Sequence, residues 1–328
     1  MIKLNNLTSI VITGLVFILP GCSELITIPD ETGCANTCVA NDTMIIGCED
    51  RVVIPSDIST TEEEPWSFIG DIYPTACTGT LISDRFILTA AHCLSNYNTN
   101  SQVGFALSQR AQSPLQRPLG TNGVRRMYVP DSFAQTPDEE VGRAYDYALL
   151  ELWEPITGVT PADWGFVPLN LLQVKPIYTA GYPGTQPDGQ ALGRPWITEG
   201  TYYNAQPFSW ANNGESGLLY SDLDGSGGQS GSSVYSFLLP AEHSGDGIIR
   251  RVHGVFIGSP VENCRQGQNW VAYLTPNAVE NIEDAMAANT GGSFWNITEL
   301  AVSPTVGQGE DWPINHGLSP KLSRYEHR

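Results

Sequence analysis

The stretch CTGTLISDRFILTAAHCL, residues 77–94, constrains the fold of this chain more than any other part of it. Small and apolar residues alternate as far as Leu81, Ser83 and Asp84 supply a turn, and Phe86, Ile87 and Leu88 resume an apolar run. That is the pattern of two antiparallel strands joined by a short connection. Cys77 and Cys93 flank the pair and are placed to be joined, and closing so short a loop is worth about 3 kcal/mol on the chain-entropy account. His92 comes just past the second strand, directly before Cys93. A lone histidine is usually an ordinary surface or core residue, but one set between a strand end and a stapled cysteine occupies a fixed place.

The rest of the chain points the same way. With 33 glycines and 23 prolines, its apolar runs are short, which favours strands and turns over long helices and predicts an all-β protein. Its 328 residues, 41% of them hydrophobic, suffice for one large domain or two smaller ones with a buried core. The formal charge of −19 would be repelled by nucleic acid and by anionic membrane surfaces, so neither is expected as a partner. A soluble acidic surface and a preference for cationic substrates are both compatible with that charge.

Residues 1–22 read as an export signal. Lys3 supplies a short positive region, and the apolar run from Ile10 to Leu19 is too short to span a bilayer. The run ends in Leu19, Pro20, Gly21 and Cys22, which is similar to a bacterial lipobox, although proline two places before the cysteine is atypical. Lipidation of Cys22, with attachment to the cell envelope, and ordinary secretion are both open. If Cys22 carries lipid, six of the seven cysteines remain for disulfides in an oxidising compartment. Cys34, Cys38, Cys48 and Cys264 allow three connectivities, of which 34 to 38 with 48 to 264 is the simplest. No CxxC pair or clustered histidine supports a zinc site, and no metal or cofactor is expected. Residues 23–51 are turn-rich and read as a linker or pro-segment.

Two further stretches carry chemistry. Asp146 opens the apolar run Tyr147 to Leu152, either as a strand-end cap or as the carboxylate that fixes the tautomer of a histidine base. Residues 222–234, DLDGSGGQSGSSV, hold Ser230 among glycines 227, 228 and 231. By composition this is a Gly/Ser loop. By chemistry it is a serine whose hydroxyl needs a base, set in a backbone free enough to turn the amides of Gly228 and Ser230 into one oxyanion hole. Ser232 replaces the last glycine of a GxSxG elbow, and Ser233 stands where a calcium loop needs a bidentate glutamate, so both of those motifs fail. His243, His253, His316 and His327 read as solvated or hydrogen-bonded residues.

In the order His92, Asp146, Ser230, these elements resemble the chymotrypsin-like serine endopeptidases. TAGYPG (179–184), SDLDGSGGQSGSS (221–233), HGVFIGS (253–259), NWVAYLT (269–275) and IIGCEDR (45–51) are similar to the bacterial glutamyl endopeptidase branch. The resemblance covers about residues 45–287. It implies two six-stranded antiparallel β-barrels, at about 52–160 and 161–275 within a domain of 52–287, followed by a short helix at 276–287 and an extension at 288–328. Within the first barrel, Val52 to Ile54 and Pro65 to Ile69 are expected as its opening strands.

The resemblance further implies an enzyme acting on proteins or peptides, with a non-catalytic binding module as the competing reading; the leader places it outside the cell or on the envelope, and a monomer is expected. Phe256, Ile257 and Gly258 would lie along the substrate. Trypsin-like zymogens have an aspartate before the serine to pair with a freed N-terminus; Gln229 stands there instead, as an amide does in the glutamyl branch. Phe256 replaces the histidine of the glutamyl pocket, and a phenyl ring cannot donate a hydrogen bond to a glutamate carboxylate. Asp224 lies six residues before Ser230, the spacing of the trypsin pocket aspartate. It is expected either to select arginine or lysine or to be a turn residue.

Overall fold

The computed structural model describes residues 43–46, 50–54, 66–109, 117–137, 140–184, 193–203, 209–211, 214–258, 269–287 and 294–301. All of them fall within one compact unit, Glu31–Arg328. In chain order the strands are β1 (Thr43–Met44), β2 (Val52–Val53), β3 (Ile69–Tyr73), β4 (Cys77–Leu81), β5 (Phe86–Thr89), β6 (Gly104–Leu107), β7 (Asn122–Pro130), β8 (Ala148–Leu152) and β9 (Asp163–Trp164). They continue with β10 (Ile177–Gly181), β11 (Trp196–Gly200), β12 (Ser209–Ala211), β13 (Ser216–Ser221), β14 (Gly225–Ser226), β15 (Ser233–Leu238), β16 (Ile249–Gly258), β17 (Asn269–Tyr273) and β18 (Trp295–Glu299). The helices are α1 (Asp131–Gln135), α2 (Glu140–Ala144), α3 (Leu169–Leu172) and α4 (Pro276–Met286).

The first barrel closes. Its strands run β7-β6-β3-β4-β5-β8, and β8 returns to pair with β7. Closure joins these six into one ring, with residues 126–130 of β7 extending past its pairing with β6, and the inward residues Ile72, Leu81, Ile87, Phe105 and Leu149 are fully buried. Gly79 permits the tight packing, since a Cβ there would stand 2.6 Å from the Ile87 side chain. The second barrel follows the path β13-β17-β16-β15-β10-β11, and a bridge between Tyr202 and Ser221 brings its two ends together. Its core is Leu219, Val234, Phe256, Val271 and Tyr273. After β17 the Thr275 hydroxyl accepts the Ala278 amide at 3.1 Å and Pro276 takes the first helical position, so α4 starts where its sequence signals place it.

Both ends of the domain depart from the sequence expectation. Val52 and Val53 pair with Ile197 and Trp196 of β11, so this strand joins the second barrel's sheet and not the first. The opening strand of the first barrel is Ile69–Tyr73, beginning where the expected strand ended. Conversely, residues 295–299, expected in an extension outside the domain, pair residue for residue with β7, from Trp295 on Pro130 to Glu299 on Arg126. Each end of the domain thus adds a strand to the sheet of the barrel further from it in sequence.

Candidate active site

His92 is delivered by a 3-10 turn, Ala91–Leu94, that follows β5. The Cys77–Cys93 disulfide ties that turn to the start of β4. Asp146, in the bend between α2 and β8, grips the histidine twice. Its Oδ1 accepts the His92 backbone amide at 2.8 Å, and its Oδ2 lies 2.7 Å from His92 Nδ1. A carboxylate in that position holds the proton on Nδ1 and leaves Nε2 as the ring's acceptor. The Asp146 side chain is 7% exposed and that of His92 24%, so the pair is shielded yet the ring reaches solvent. Burial by itself would lower the His92 pKa, but the Asp146 charge and hydrogen bond outweigh it and raise it above the ordinary 6.5.

Ser230 is brought to the same place from the second barrel. The Thr78 amide donates to the Ser230 carbonyl at 2.9 Å, and the Cys93 sulfur lies 3.9 Å from that oxygen. Gly231, with φ of +87°, fits against the first barrel only because it lacks a side chain: a Cβ would meet Thr78 O at 2.2 Å and Thr89 Oγ1 at 2.3 Å. Ser230 therefore sits beside the turn that carries His92. No hydrogen bond joins its hydroxyl to the histidine among the described residues; catalytic bonds of this kind commonly tighten only around a bound substrate.

The backbone of the serine turn is selectively satisfied. Ser226 N donates to Gln229 Oε1, Gln229 N to Ser226 O, Gly231 N to Phe256 O and Ser232 N to Gln229 O. Among the described residues the amides of Gly228 and Ser230 donate to nothing. Gly228 has φ of +100°, and its carbonyl accepts the Thr78 hydroxyl at 2.9 Å. The same hydroxyl accepts the Tyr182 amide at 2.9 Å, so Thr78 bridges the two barrels. Two unspent amides flanking one residue beside a histidine are the donors an oxyanion requires.

Two expected substrate contacts are placed otherwise. Asp224 is fully buried, and its carboxylate accepts the amides of Ile46 at 2.6 Å and Asp50 at 3.3 Å. It is turned to the segment before β2, which corrects its expected place at a pocket floor open to a basic side chain. Phe256 is fully buried in the second barrel's core with Val234 and Val271, so its ring does not line an open site. Its backbone does border the serine turn, because Phe256 O accepts Gly231 N at 2.8 Å and Phe256 N donates to Ser232 O at 2.8 Å. Beyond it the β16–β17 ladder is irregular between Phe256 and Gly258, so Ile257 has no cross-strand partner there.

Cys77, His92 and Cys93 lie close enough to suggest a metal site, but both sulfurs are spent in the disulfide. Cys22, Cys34, Cys38, Cys48 and Cys264 lie outside the described residues. Thr78 and Arg51 escaped sequence reading as site residues. Arg51 was nonetheless within reach, as the last residue of the IIGCEDR segment.

A sequence profile described as trypsin-like peptidase domain matches residues 77–237. Over these residues the chain is similar to trypsin-like peptidase domains. Serine protease 23 of Bos taurus is 27% identical to the chain over 227 residues, 62% of this chain and 55% of the relative. The human protein of the same name is 29% identical over 207 residues, 56% and 48% of the two chains. A glutamyl endopeptidase of Bacillus licheniformis is 27% identical over 194 residues, 58% and 54%. The chain spans about half the length of these curated relatives. A solved structure of a Glu endopeptidase in complex with MPD matches 72% of this chain and 96% of its own with a TM-score of 0.55 at 22% identity, a likeness of fold. The matched span contains His92, Asp146 and Ser230, whereas strands β1, β2, β3, β16, β17 and β18 lie outside it.

Proposed function

We propose that the chain is an exported serine endopeptidase that hydrolyses peptide bonds in proteins or peptides through an acyl-enzyme. The observation that carries this reading is the double grip of Asp146 on His92, beside a serine whose own amide and that of Gly228 are unspent. In the forward step Ser230 Oγ attacks the scissile carbonyl carbon while His92 Nε2 takes its proton. Negative charge gathers on the carbonyl oxygen and is met by the Gly228 and Ser230 amides. Collapse expels the amine, which takes the proton from His92, and leaves an ester on Ser230. Water, deprotonated by His92, then releases the acid and restores the serine. Asp146 keeps its charge throughout and stabilises the imidazolium that forms twice per cycle. The substrate backbone is expected to pair with the strand edge at Ile257 and Gly258.

Export rests on the leader at residues 1–22 and on the disulfide at the His92 turn, which suits an oxidising compartment. A secreted form and an envelope form anchored at Cys22 both follow from that leader. Among the described residues no helix is long and apolar enough to cross a membrane.

A fluorophosphonate probe with Ser230→Ala as control tests the assignment. Labelling of the wild type, its loss in the variant, and a fall in turnover of several orders of magnitude are expected. A wild type that takes no label, or a variant that keeps most of its turnover, would mean that the fold serves as a non-catalytic binding module.

A further inference from the structure

The serine turn is held from behind by a residue far away in sequence. Arg51 is 5% exposed, and its Nη1 donates to Gln229 Oε1 at 2.9 Å and to Ser226 Oγ at 3.0 Å. Both acceptor residues are fully buried. Gln229 directly precedes Ser230, and its Oε1 also accepts the Ser226 amide at 3.1 Å, so this one oxygen closes the turn from 226 to 229. Arg51 therefore binds the atom that shapes the turn.

The turn needs such support. It contains Gly227 and Gly228, the residue type that loses most conformational freedom on ordering, and it leaves the Gly228 and Ser230 amides unspent. A backbone in that state gains little from its own hydrogen bonds and must be held by others. The neighbouring contacts come from the same segment: β1 pairs with β14, Thr43 on Ser226 and Met44 on Gly225, while the Ile46 and Asp50 amides bind Asp224. Arg51 supplies the buried guanidinium of this brace, and because it lies within the chain its charge does not depend on a freed N-terminus.

We propose that Arg51 is a positioning residue for the Gly227 to Ser230 turn, its guanidinium on Gln229 and Ser226 keeping the Gly228 and Ser230 amides directed at the reacting carbonyl. The inference rests on Ser230 being the nucleophile and adds a residue outside the matched peptidase span. Gln229 has an amide nitrogen that is buried and lacks a partner among the described residues. Gln229→Glu removes that orphan donor and sets a carboxylate against the guanidinium, so it is expected to keep the turn ordered.

The test is made on the full chain with Arg51→Met and Arg51→Lys, using the best of a panel of peptide anilides varied at the residue before the scissile bond. Loss of aim in the turn is expected to lower kcat by about 10- to 100-fold in Arg51→Met with KM little changed. Affinity for a peptide boronate, which mimics the tetrahedral intermediate, falls by the same factor, while affinity for the matching peptide acid does not. Amide hydrogen exchange rises at residues 224–231 and not in the first barrel. Arg51→Lys, whose ammonium lacks the planar fork, is expected to be intermediate. Wild-type kcat in Arg51→Met, or exchange that rises equally throughout the domain, overturns the proposal. If Arg51→Met does not fold, the lysine variant decides, and wild-type kcat there overturns it. A wild-type chain with no turnover and no fluorophosphonate labelling would refute the endopeptidase reading alone. Exchange at 224–231 would still judge Arg51, with unchanged protection in Arg51→Met counting against it.

Discussion

Asp146 contacts His92 through both of its oxygens, Oδ1 on the backbone amide and Oδ2 on Nδ1. One carboxylate thereby sets the position of the turn and the orientation of the ring, and its hydrogen-bond partner on the ring decides which nitrogen is left to act as a base.

Asp146→Asn separates those roles. An amide oxygen can still accept the backbone amide, but the side chain no longer carries the charge that favours protonation of the ring. Turnover is expected to fall by about 10⁴-fold with the fold intact. The pH dependence supplies a second readout. Because the folded pKa of His92 is raised above 6.5, general-base activity appears only as pH climbs through that raised value. The stability contributed by the pair has the opposite trend: it is fully present below 6.5 and fades as pH rises through the folded pKa. In the asparagine variant the acid limb of kcat/KM should move to lower pH. A limb that stays in place would show that another group controls it.

Thr78→Val probes the contact between the barrels. The valine keeps the shape but deletes the hydroxyl that donates to Gly228 O and accepts the Tyr182 amide. Loss of a buried hydrogen bond of this kind costs about 1 kcal/mol. Gly228 loses the bond that fixes its carbonyl, so the peptide joining it to Gln229, which lies between the two oxyanion donors, is held less firmly. A lower urea midpoint together with a reduced kcat is expected. A variant that loses stability but retains the wild-type kcat would assign Thr78 to stability alone.

His253 opposes His92 in its pH response. It is fully buried in the second barrel, with Ser236 Oγ 3.0 Å from Nε2 and the Tyr202 hydroxyl 3.4 Å from Nδ1. Burial pushes its pKa down to about 3, and a backbone hydrogen bond that favours the charged ring offsets this only in part. The folded value lies below the unfolded one, so its contribution to stability is present above pH 6.5 and is lost as pH falls toward about 3. His253→Gln, which retains polar atoms for both hydroxyls, should flatten urea-unfolding stability across that window. Parallel curves for the two proteins would place the acid sensitivity elsewhere.

Features encoded locally were legible in the sequence. The hairpin from Cys77 to Thr89, the His92 turn and the start of α4 each depend on near neighbours, where alternation, turn formers and caps act, and the disulfide joins cysteines 16 positions apart that flank the hairpin. The serine turn was legible because glycine at 228 and 231 is the signature of a backbone with positive φ. Long-range partners leave no such mark. Asp224 has the right distance from Ser230 for a pocket residue, but its carboxylate is engaged by amides 174 and 178 positions away, which spacing to Ser230 cannot report. Val52 and Val53 form a two-residue strand, too short for its pattern to say which sheet it joins. Thr78 looks like any small polar strand residue until its two partners from the other barrel are seen.

Trp295 offers the sharpest test of the strand that lies beyond the expected domain. It is 9% exposed and packs edge-on against Tyr128 and Tyr147, with ring centroids 6.2 Å and 6.0 Å apart. Its indole nitrogen donates to Asn281 O in α4 at 3.1 Å. Tyr147 follows Asp146 directly, so the indole links α4 to the strand start that carries the Asp146 bend. Trp295→Ala should cost about 3–5 kcal/mol through the cavity it leaves. Trp295→Phe, which keeps most of the ring packing and loses the indole hydrogen bond, should forfeit about 1 kcal/mol. Stopping the chain before residue 294 goes further, because it also bares the outer edge of β7 and the face of Tyr128. Self-association by light scattering is therefore expected of the shortened chain and not of Trp295→Phe. A shortened chain that associates no more than the full-length protein and keeps its urea midpoint would show that β18 is dispensable to the first barrel.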